Sequence, residues 1–305
     1  MNRLLVIGIV FLLSVNMYGQ INEKDSTVQV VAYWSKLDQQ SYNVSYEKIK
    51  IKSSDTISKE LMKYEVDVKV IDATENSYTT EWFYKNFTID TDNELVKKLT
   101  SLSNDMSVII KTDELGSFVE IVNWKDVKEY LTKVTKELEK ELKDIPNYKK
   151  IIEKVMNVYA TKESIEANAI KDAIQFYSFH GVKYKLNEEI NIKLEVANNF
   201  GGKPFETDVT YSLDEINSEA GNSIIRMKQV VNSEQLTDAT YNYLKKIGTF
   251  GTNIPDRKDF PFLTNETFTA SRIHGETGWI IYSIETKKIR AEETTNIEER
   301  IITIK

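Results

Sequence analysis

Alternating apolar and polar side chains constrain this chain more than any other feature of its sequence. The alternation runs through residues 64–70, recurs over 78–84 and returns over 190–196. β-branched and aromatic residues occupy the apolar positions, and a period of two is typical of a strand that buries one face and wets the other. Residues 28–86 therefore predict an antiparallel meander.

The first long strand of this meander changes its phase along the chain. Its apolar side chains Tyr42, Val44 and Tyr46 are followed by Ile49 and Ile51, which stand one residue out of step. A single extra residue in one strand produces such a change of face. We expect a bulge or a bend near residues 47–48.

The middle of the chain switches to the three-and-four spacing of amphipathic helices. One helix is predicted over 124–143 and a second after Pro146. A third opens at Thr161, with Ser164 in its first turn, and continues without a break to Gly181. Its inward side chains are expected to be those at 165, 169, 170, 173, 174 and 177.

Strands resume after residue 181, with one further helix predicted over 234–247 that includes Tyr243 among its inward side chains. The whole pattern predicts an α+β protein: one or two strongly curved antiparallel sheets, or a half-barrel, with a helical insertion packed on one face. The predicted parts are a signal peptide (1–19), a strand-rich part (20–122), the helical insertion (123–180) and a second strand-rich part with one helix (181–305).

Two short glycine turns occupy similar places in the two strand-rich parts. One contains Gly116 and precedes Phe118, and the other contains Gly278 and precedes Trp279. Both predict hairpins, because glycine supplies positive φ at low cost. A duplication of the strand-rich part is one interpretation of this similarity, and chance is the other.

The amino-terminal segment predicts export. A basic start with Arg3 precedes the apolar residues 4–15, and the segment ends in Gly19 before Gln20. The apolar run is shorter than the roughly 20 residues that a membrane-spanning helix needs, so a cleaved signal peptide is favoured over an anchor. We expect a periplasmic, extracellular or cell-surface location and no transmembrane segment in the mature chain.

The composition of the chain narrows the classes of molecule that it is expected to bind. The chain has no cysteine, which excludes disulfides and thiol-linked lipid. Loss of Arg3 takes the formal charge from −7 to −8, with both signs mixed along the sequence. Such a surface repels polyphosphates, so no nucleic acid is expected. A lipid, another amphiphile or an envelope protein remain as partners.

Catalytic and metal signatures are absent from the sequence. The two histidines are His180 at a predicted helix end and His274 in a predicted turn, and neither has metal-ligand spacing around it. The nucleophile string Gly-x-Ser-x-Gly does not occur. No catalytic residue, metal site or cofactor is therefore predicted.

Aromatic side chains on strands and turns are the remaining candidates for ligand contacts. The string Asn198-Asn199-Phe200-Gly201-Gly202-Lys203-Pro204-Phe205 is the most distinctive in the chain, because paired glycines let a ligand or another backbone approach closely. Ordinary strand propensity and core packing explain the same aromatic enrichment. The residues predicted to bind a ligand are Trp82, Tyr84, Phe200, Phe205, Trp279 and Tyr282.

In that string and in Gly278-Trp279-Ile280-Ile281-Tyr282, together with the export signal, the chain resembles uncharacterised secreted bacterial β-rich proteins of unknown function. The order of strands and inserted helices is also similar to periplasmic lipoprotein carriers, whose half-barrel is closed by helices. The second likeness is architectural, since the carriers' own motifs are missing. It implies lipid transport by analogy alone, and no functional residue is carried over.

Three functions are compatible with these features. The first is a non-catalytic exported envelope protein that binds an apolar or amphiphilic ligand, or a partner protein, in the concavity. The second is a hydrolase acting on an envelope polymer, which requires two carboxylates, or His180 or His274 with a carboxylate, in one cleft. The third is a structural subunit of a surface assembly, which requires an exposed apolar patch or an unpaired sheet edge.

Overall fold

The computed structural model describes residues 20–91, 94–100, 103–141, 148–198, 200–247 and 255–305. Its strands are β1 (Ile21–Asn22), β2 (Thr27–Gln29), β3 (Gln39–Lys52), β4 (Asp55–Thr74), β5 (Ser77–Asp90), β6 (Met106–Asp113), β7 (Phe118–Ile121), β8 (Lys183–Lys185), β9 (Glu189–Val196), β10 (Phe205–Asn217), β11 (Asn222–Val231), β12 (Leu263–His274), β13 (Ile280–Ala291) and β14 (Thr294–Ile304). Its helices are α1 (Glu94–Thr100), α2 (Trp124–Glu141), α3 (Tyr148–Val158), α4 (Lys162–Asn168), α5 (Lys171–Tyr177) and α6 (Ser233–Ile247).

Two antiparallel meanders join into one large sheet. In the described residues its eleven strands follow the order β7-β6-β5-β4-β3-β14-β13-β12-β11-β10-β9, so the meanders meet where β3 pairs with β14. Val44 lies opposite Ile302 at this seam. A small sheet, β1-β2-β8, stands beside the large one. The predicted α+β class and curved antiparallel sheet are confirmed, and the sheet does not close.

The predicted bulge near residues 47–48 is wrong. Glu47 and Lys48 keep a regular register with β4, and the register shifts later, between Lys50 and Ile51. The extra residue at this shift belongs to β4, and β3 itself stays in regular register with β14, so Ile49 and Ile51 lie on the opposite face from Val44. Cross-strand pairing along the long β3–β4 hairpin outweighs the preference of these two isoleucines for the buried face.

The predicted third helix divides into α4 and α5. Thr161 caps α4 as expected, with a capping box formed with Ser164. Ile170 then leaves the helical conformation, with φ −120° and ψ 40°. The break turns α5 so that Asp172 and its neighbours face the sheet, while Ile174, which was predicted inward, is 38% exposed. Hydrogen bonds to Asp172 outweigh the burial of one isoleucine.

Helices α2, α4, α5 and α6 cover the same face of the large sheet. Helices α2 and α4 lie over β6 and β7 of the first meander, α5 lies over β13 and β14 of the second, and their inward side chains contact a core that includes Val68, Trp82 and Ile302. Helix α6 lies over β10 and β12 and encloses a second, smaller core. The other face of the sheet carries mainly polar side chains, as the alternation predicts.

The two glycine turns meet in space at residues 30–34, which cross between them. Backbone N–H groups of this segment donate to Leu115 O at 3.0 Å and to Thr277 O at 3.2 Å. Gly278 has a φ of +73°, and a Cβ there would lie 2.3 Å from a carbonyl oxygen of the segment. The two similar glycine turns therefore belong to two hairpins that hold residues 30–34 against the core.

Both strand-rich parts contribute to one sheet, while their division into domains stays a prediction. The predicted signal peptide lies outside the described residues. None of the helices in the described part of the chain combines the length and apolar character that a membrane crossing requires.

Strand β9 is an edge of the sheet and exposes Ile192 and Leu194, a feature that the surface-assembly alternative requires.

Candidate ligand cleft between α6 and the β9–β10 turn

Helix α6 is fixed at its start by a side-chain cap. The Asn232 side-chain oxygen accepts hydrogen bonds from the backbone N–H groups of Glu234 at 3.1 Å and Gln235 at 3.0 Å. These contacts satisfy N–H groups that the first turn of a helix leaves unpaired. Leu236 is 8% exposed and anchors the next turn in the second core. The cap and this anchor set where the outer side chains of α6 point.

The turn between β9 and β10 is shaped by Asn198 and two glycines. The Asn198 side chain accepts from Phe200 N at 3.0 Å and donates to Lys203 O at 3.2 Å. Gly201 and Gly202 have φ values of +86° and +104°, a region that strains other residues. These contacts hold the turn so that Phe200 faces α6.

A cleft of about 780 Å³ separates this turn from α6. Phe200 of the turn and Tyr243 of α6 contact each other at its edge, with ring centroids 5.2 Å apart and planes inclined by 43°. Each is 38% exposed, so neither ring is fully used by the core. The described residues that line the cleft are Glu195, Asn198, Phe200, Gly201, Gly202, Lys203, Pro204, Phe205, Glu206, Gln235, Asp238, Ala239, Asn242, Tyr243 and Lys246.

The floor of the cleft is continuous with the second core. Phe205 is 6% exposed and packs within that core, and Ala239 of α6 packs against the same cluster. Gln235 links the two walls, because its side-chain oxygen accepts from Glu206 N at 2.8 Å. An apolar floor fixed by both walls gives a ligand a preformed surface.

Polar groups surround the mouth of the cleft. Glu195 and Glu206 supply carboxylates, and Lys203 and Lys246 supply ammonium groups. The carboxylate of Asp238 is already engaged, 2.5 Å from Arg257 Nε. The remaining charges balance, so the cleft joins an apolar floor to a polar rim with little net charge. That combination suits a molecule with one apolar and one polar part.

Of the residues predicted to bind a ligand, Phe200 and Phe205 line this cleft. Tyr243 was predicted inward with the apolar stripe of α6, yet its ring reaches the rim. Gln235 and Asn242 were not singled out, since isolated amides on a helix carry no pattern. Tyr243 stands at the border of the apolar stripe of α6. Because tyrosine has an apolar body and a polar end, such a position was the one signal that its ring could reach the surface.

The other predicted ligand residues lie elsewhere. Trp82, Tyr84 and Trp279 are at most 5% exposed and belong to the main core. Tyr282 is 37% exposed and neighbours Ser283 along β13, so it lies on the face opposite the helices. The six residues therefore do not share one pocket, and the role of these four as ligand contacts stays a prediction.

A buried carboxylate lies under α5. Asp172 accepts hydrogen bonds from the hydroxyls of Tyr64 at 3.0 Å and Tyr84 at 3.1 Å. Burial raises the pKa of Asp172, and the nearby Arg300 guanidinium opposes this effect. Arg300 itself is paired with Glu285 at 3.0 Å. Because protein groups occupy both carboxylate oxygens, this network attaches α5 to the sheet.

Neither histidine contacts a carboxylate among the described residues. His180 Nε2 donates to Gly278 O at 2.9 Å, and burial lowers the pKa of His180 to about 4. His274 Nδ1 lies 3.0 Å from Thr277 Oγ1. In the described part of the chain, no group of three or more acidic or histidine side chains converges as a metal site would require. The histidine pairing that the hydrolase alternative needs is not present in this part of the structure.

Comparisons with known proteins add little to this geometry. No family model and no curated protein matches the sequence. Among solved structures the chain is similar to one of lipid–protein interactions in lipovitellin, with 10% sequence identity and a TM-score of 0.41. The match covers 89% of this chain and 25% of that one, so the chain spans about a quarter of that protein's length.

Proposed function

We propose that this chain is an exported, non-catalytic envelope protein that binds an amphiphile in the cleft between α6 and the β9–β10 turn. The observation that carries the proposal is the pair formed by Phe200 and Tyr243. Each ring is 38% exposed, and they stand 5.2 Å apart above an apolar floor. Aromatic rings left partly exposed beside such a floor gain free energy when a ligand covers them.

The rim of the cleft supports an amphiphile over a wholly apolar ligand. Asn198 and Asn242 supply amides, and Lys203 and Lys246 supply ammonium groups, all at the border of the apolar floor. A ligand without polar groups leaves these side chains poorly hydrated when it binds. A headgroup that accepts and donates hydrogen bonds replaces the lost water.

Dodecyl maltoside, kept below its micelle concentration, is the test ligand. We expect it to bind the purified chain, and we expect Phe200→Ala and Tyr243→Ala each to weaken binding by about tenfold, since loss of a central aromatic contact costs at least about 1.4 kcal/mol. Isothermal titration calorimetry measures both values.

Tyr282→Ala is the matched control, because Tyr282 is 37% exposed but lies on the opposite face of the sheet. Its affinity for dodecyl maltoside should equal that of the unchanged protein. Equal weakening by the control, or undiminished binding by both cleft variants, contradicts the proposed site. Tight binding of maltose alone contradicts the requirement for an apolar part.

Export rests on the sequence of residues 1–19, with its basic start and apolar run. When the full chain is expressed in a bacterium with an export pathway, we expect processed protein outside the cytoplasm whose first residue is Gln20. Cell fractionation followed by amino-terminal sequencing measures both. Unprocessed protein that stays in the cytoplasm would contradict the proposal of export without affecting the cleft.

A further inference from the structure

The two edges of the large sheet differ in what covers them. At one edge β7 is four residues long and lies against α4, where Ile121 N donates to a Glu166 carboxylate oxygen at 2.9 Å and Glu120 pairs with Lys162. At the other edge β9 is eight residues long, and in the described part of the chain its backbone pairs with β10 alone. An unpaired edge of this length is a template for a further strand.

The helix-covered face of β9 also keeps apolar surface in contact with solvent. Ile190 packs against the main core and Val196 packs against the second core. Between them, Ile192 lies opposite the buried Val209 of β10 and is 37% exposed, and Leu194 is 43% exposed. The β9 edge therefore combines unpaired backbone groups with apolar side chains whose burial favours association.

We propose that two copies of this chain associate through their β9 edges, with the two strands antiparallel and Leu194 of each copy at the two-fold axis. An axis normal to the sheet closes the pair, because both copies then use the same edge. Directly opposite side chains of an antiparallel pair lie on the same face, so the apolar side chains of one β9 meet those of the other. The two large sheets become continuous, and this contact does not depend on the proposed ligand.

The charges of β9 match in this register. With Leu194 on the axis, Lys193 of each copy lies directly opposite Glu195 of the partner subunit, which gives two opposite-charge pairs. The Lys193 ammonium group is 3.9 Å from the Asp208 carboxylate within its own copy, and these two side chains are 84% and 73% exposed. Lys193 is therefore accessible to a partner.

Neighbouring registers are less favourable. A register centred one residue to either side sets Lys193 or Glu195 opposite the same residue of the partner subunit, and one centred two residues earlier sets Glu189 opposite the partner's Glu195. Like charges directly opposite each other destabilise a strand pair. A register centred on Asn191 pairs Glu189 with the partner's Lys193, but it leaves Leu194 outside the paired residues. Only the proposed register combines both opposite-charge pairs with burial of Leu194.

Sedimentation equilibrium of the purified chain without detergent tests this dimer. We expect a reversible dimer that is populated at about 100 μM, since one pair of strands buries less area than a stable complex does. Lys193→Glu and Glu195→Lys should each raise the dissociation constant at least about tenfold, because each variant converts two opposite-charge pairs into like-charge pairs. A chain that stays monomeric at about 100 μM overturns the proposal.

An equimolar mixture of the Lys193→Glu and Glu195→Lys proteins tests the register and shows that both variants are folded. One protein carries carboxylates at both positions and the other carries ammonium groups at both, so a mixed dimer regains two opposite-charge pairs. We expect its dissociation constant to lie within about threefold of that of the unchanged protein. A mixture that associates no more tightly than its two components contradicts the register.

Glu189→Lys is the matched control, because it makes the same charge change as Glu195→Lys at another exposed position of β9. Glu189 lies outside the paired residues when Leu194 is on the axis, so the dissociation constant should stay within about twofold of the unchanged value. Both replacements reduce the chain's net charge of −7, so general repulsion does not explain weakening by Glu195→Lys. Equal weakening by Glu189→Lys, or undiminished association of Lys193→Glu, would overturn the proposal.

Discussion

Replacement of Trp82 with alanine is expected to lower the free energy of unfolding by about 3 to 5 kcal/mol, the usual cost of removing a large buried aromatic side chain. Trp82 is 1% exposed, its ring meets that of Phe176 edge-on at 5.2 Å, and its indole N–H donates to the Tyr177 hydroxyl Oη at 3.0 Å. Alanine leaves a cavity between β5 and α5 and removes a donor from the Tyr177 hydroxyl. Urea unfolding followed by circular dichroism measures the change.

Phe83→Ala is the control for this replacement. Phe83 is the next residue on β5, points to the opposite face of the sheet and is half-buried. Phe83→Ala should lower the free energy of unfolding by less than half as much as Trp82→Ala. Phe200→Ala should lower it by less still. If Trp82→Ala lowered the free energy of unfolding no more than Phe83→Ala does, the position of α5 over the sheet would be contradicted.

Acidification is expected to remove about 3 kcal/mol of stability through His180 alone as the pH falls from 6.5 towards about 4. Burial keeps this imidazole neutral in the folded protein and lowers its pKa to about 4. The unfolded chain binds the proton first, at its ordinary pKa near 6.5, so protons favour unfolding throughout this window. The contribution is fully present above pH 6.5 and is lost as the pH falls.

The measurement is the free energy of unfolding at the two ends of that window, for the unchanged protein and for His180→Gln. Carboxylates also titrate on acidification, so the difference between the two proteins isolates the imidazole. His180→Gln should show a smaller loss by about 3 kcal/mol. His274→Gln should retain the full loss, and an unchanged pH dependence in His180→Gln would contradict the burial of a neutral histidine.

The sheet was predictable because its strands are long and half-buried. Over residues 64–70 of β4 and 80–84 of β5 every second side chain enters the core, so Val66, Val68 and Trp82 report the buried face directly in the sequence. Alternation does not report the buried face at Ile49 and Ile51, where both faces of a long hairpin are partly exposed. Register there depends on the partner strand, which a single strand's sequence does not contain.

The break between α4 and α5 had no local signal. Ala169 and Ile170 are compatible with a continuous helix, and Ile170 carries no proline or glycine beside it. The chain breaks where Asp172 can reach the hydroxyls of Tyr64 and Tyr84, which are about ninety residues away or more in sequence. Such a long-range polar contact is invisible to periodicity.

The cleft was only half predictable for a similar reason. Phe200 and the two glycines after it stand out in the sequence as an unusual turn. The opposite wall comes from Tyr243 and Asn242, which are ordinary residues on an ordinary helix until the fold brings them to the turn. Trp82 and Trp279 carry no ligand signal besides their aromatic character, and that character serves core packing equally well.

The seam between β3 and β14 also bears on how the molecule is assembled. Each meander forms through neighbouring hairpins, but the seam joins positions as far apart as Ser53 and Glu293, whose side chains are hydrogen-bonded across 240 residues. Until β14 is synthesised, the long strand β3 keeps a bare edge, which invites pairing with other chains. A nascent chain thus exposes an unpaired strand edge near its amino-terminal end, and a chaperone that covers β3 would protect it during that interval.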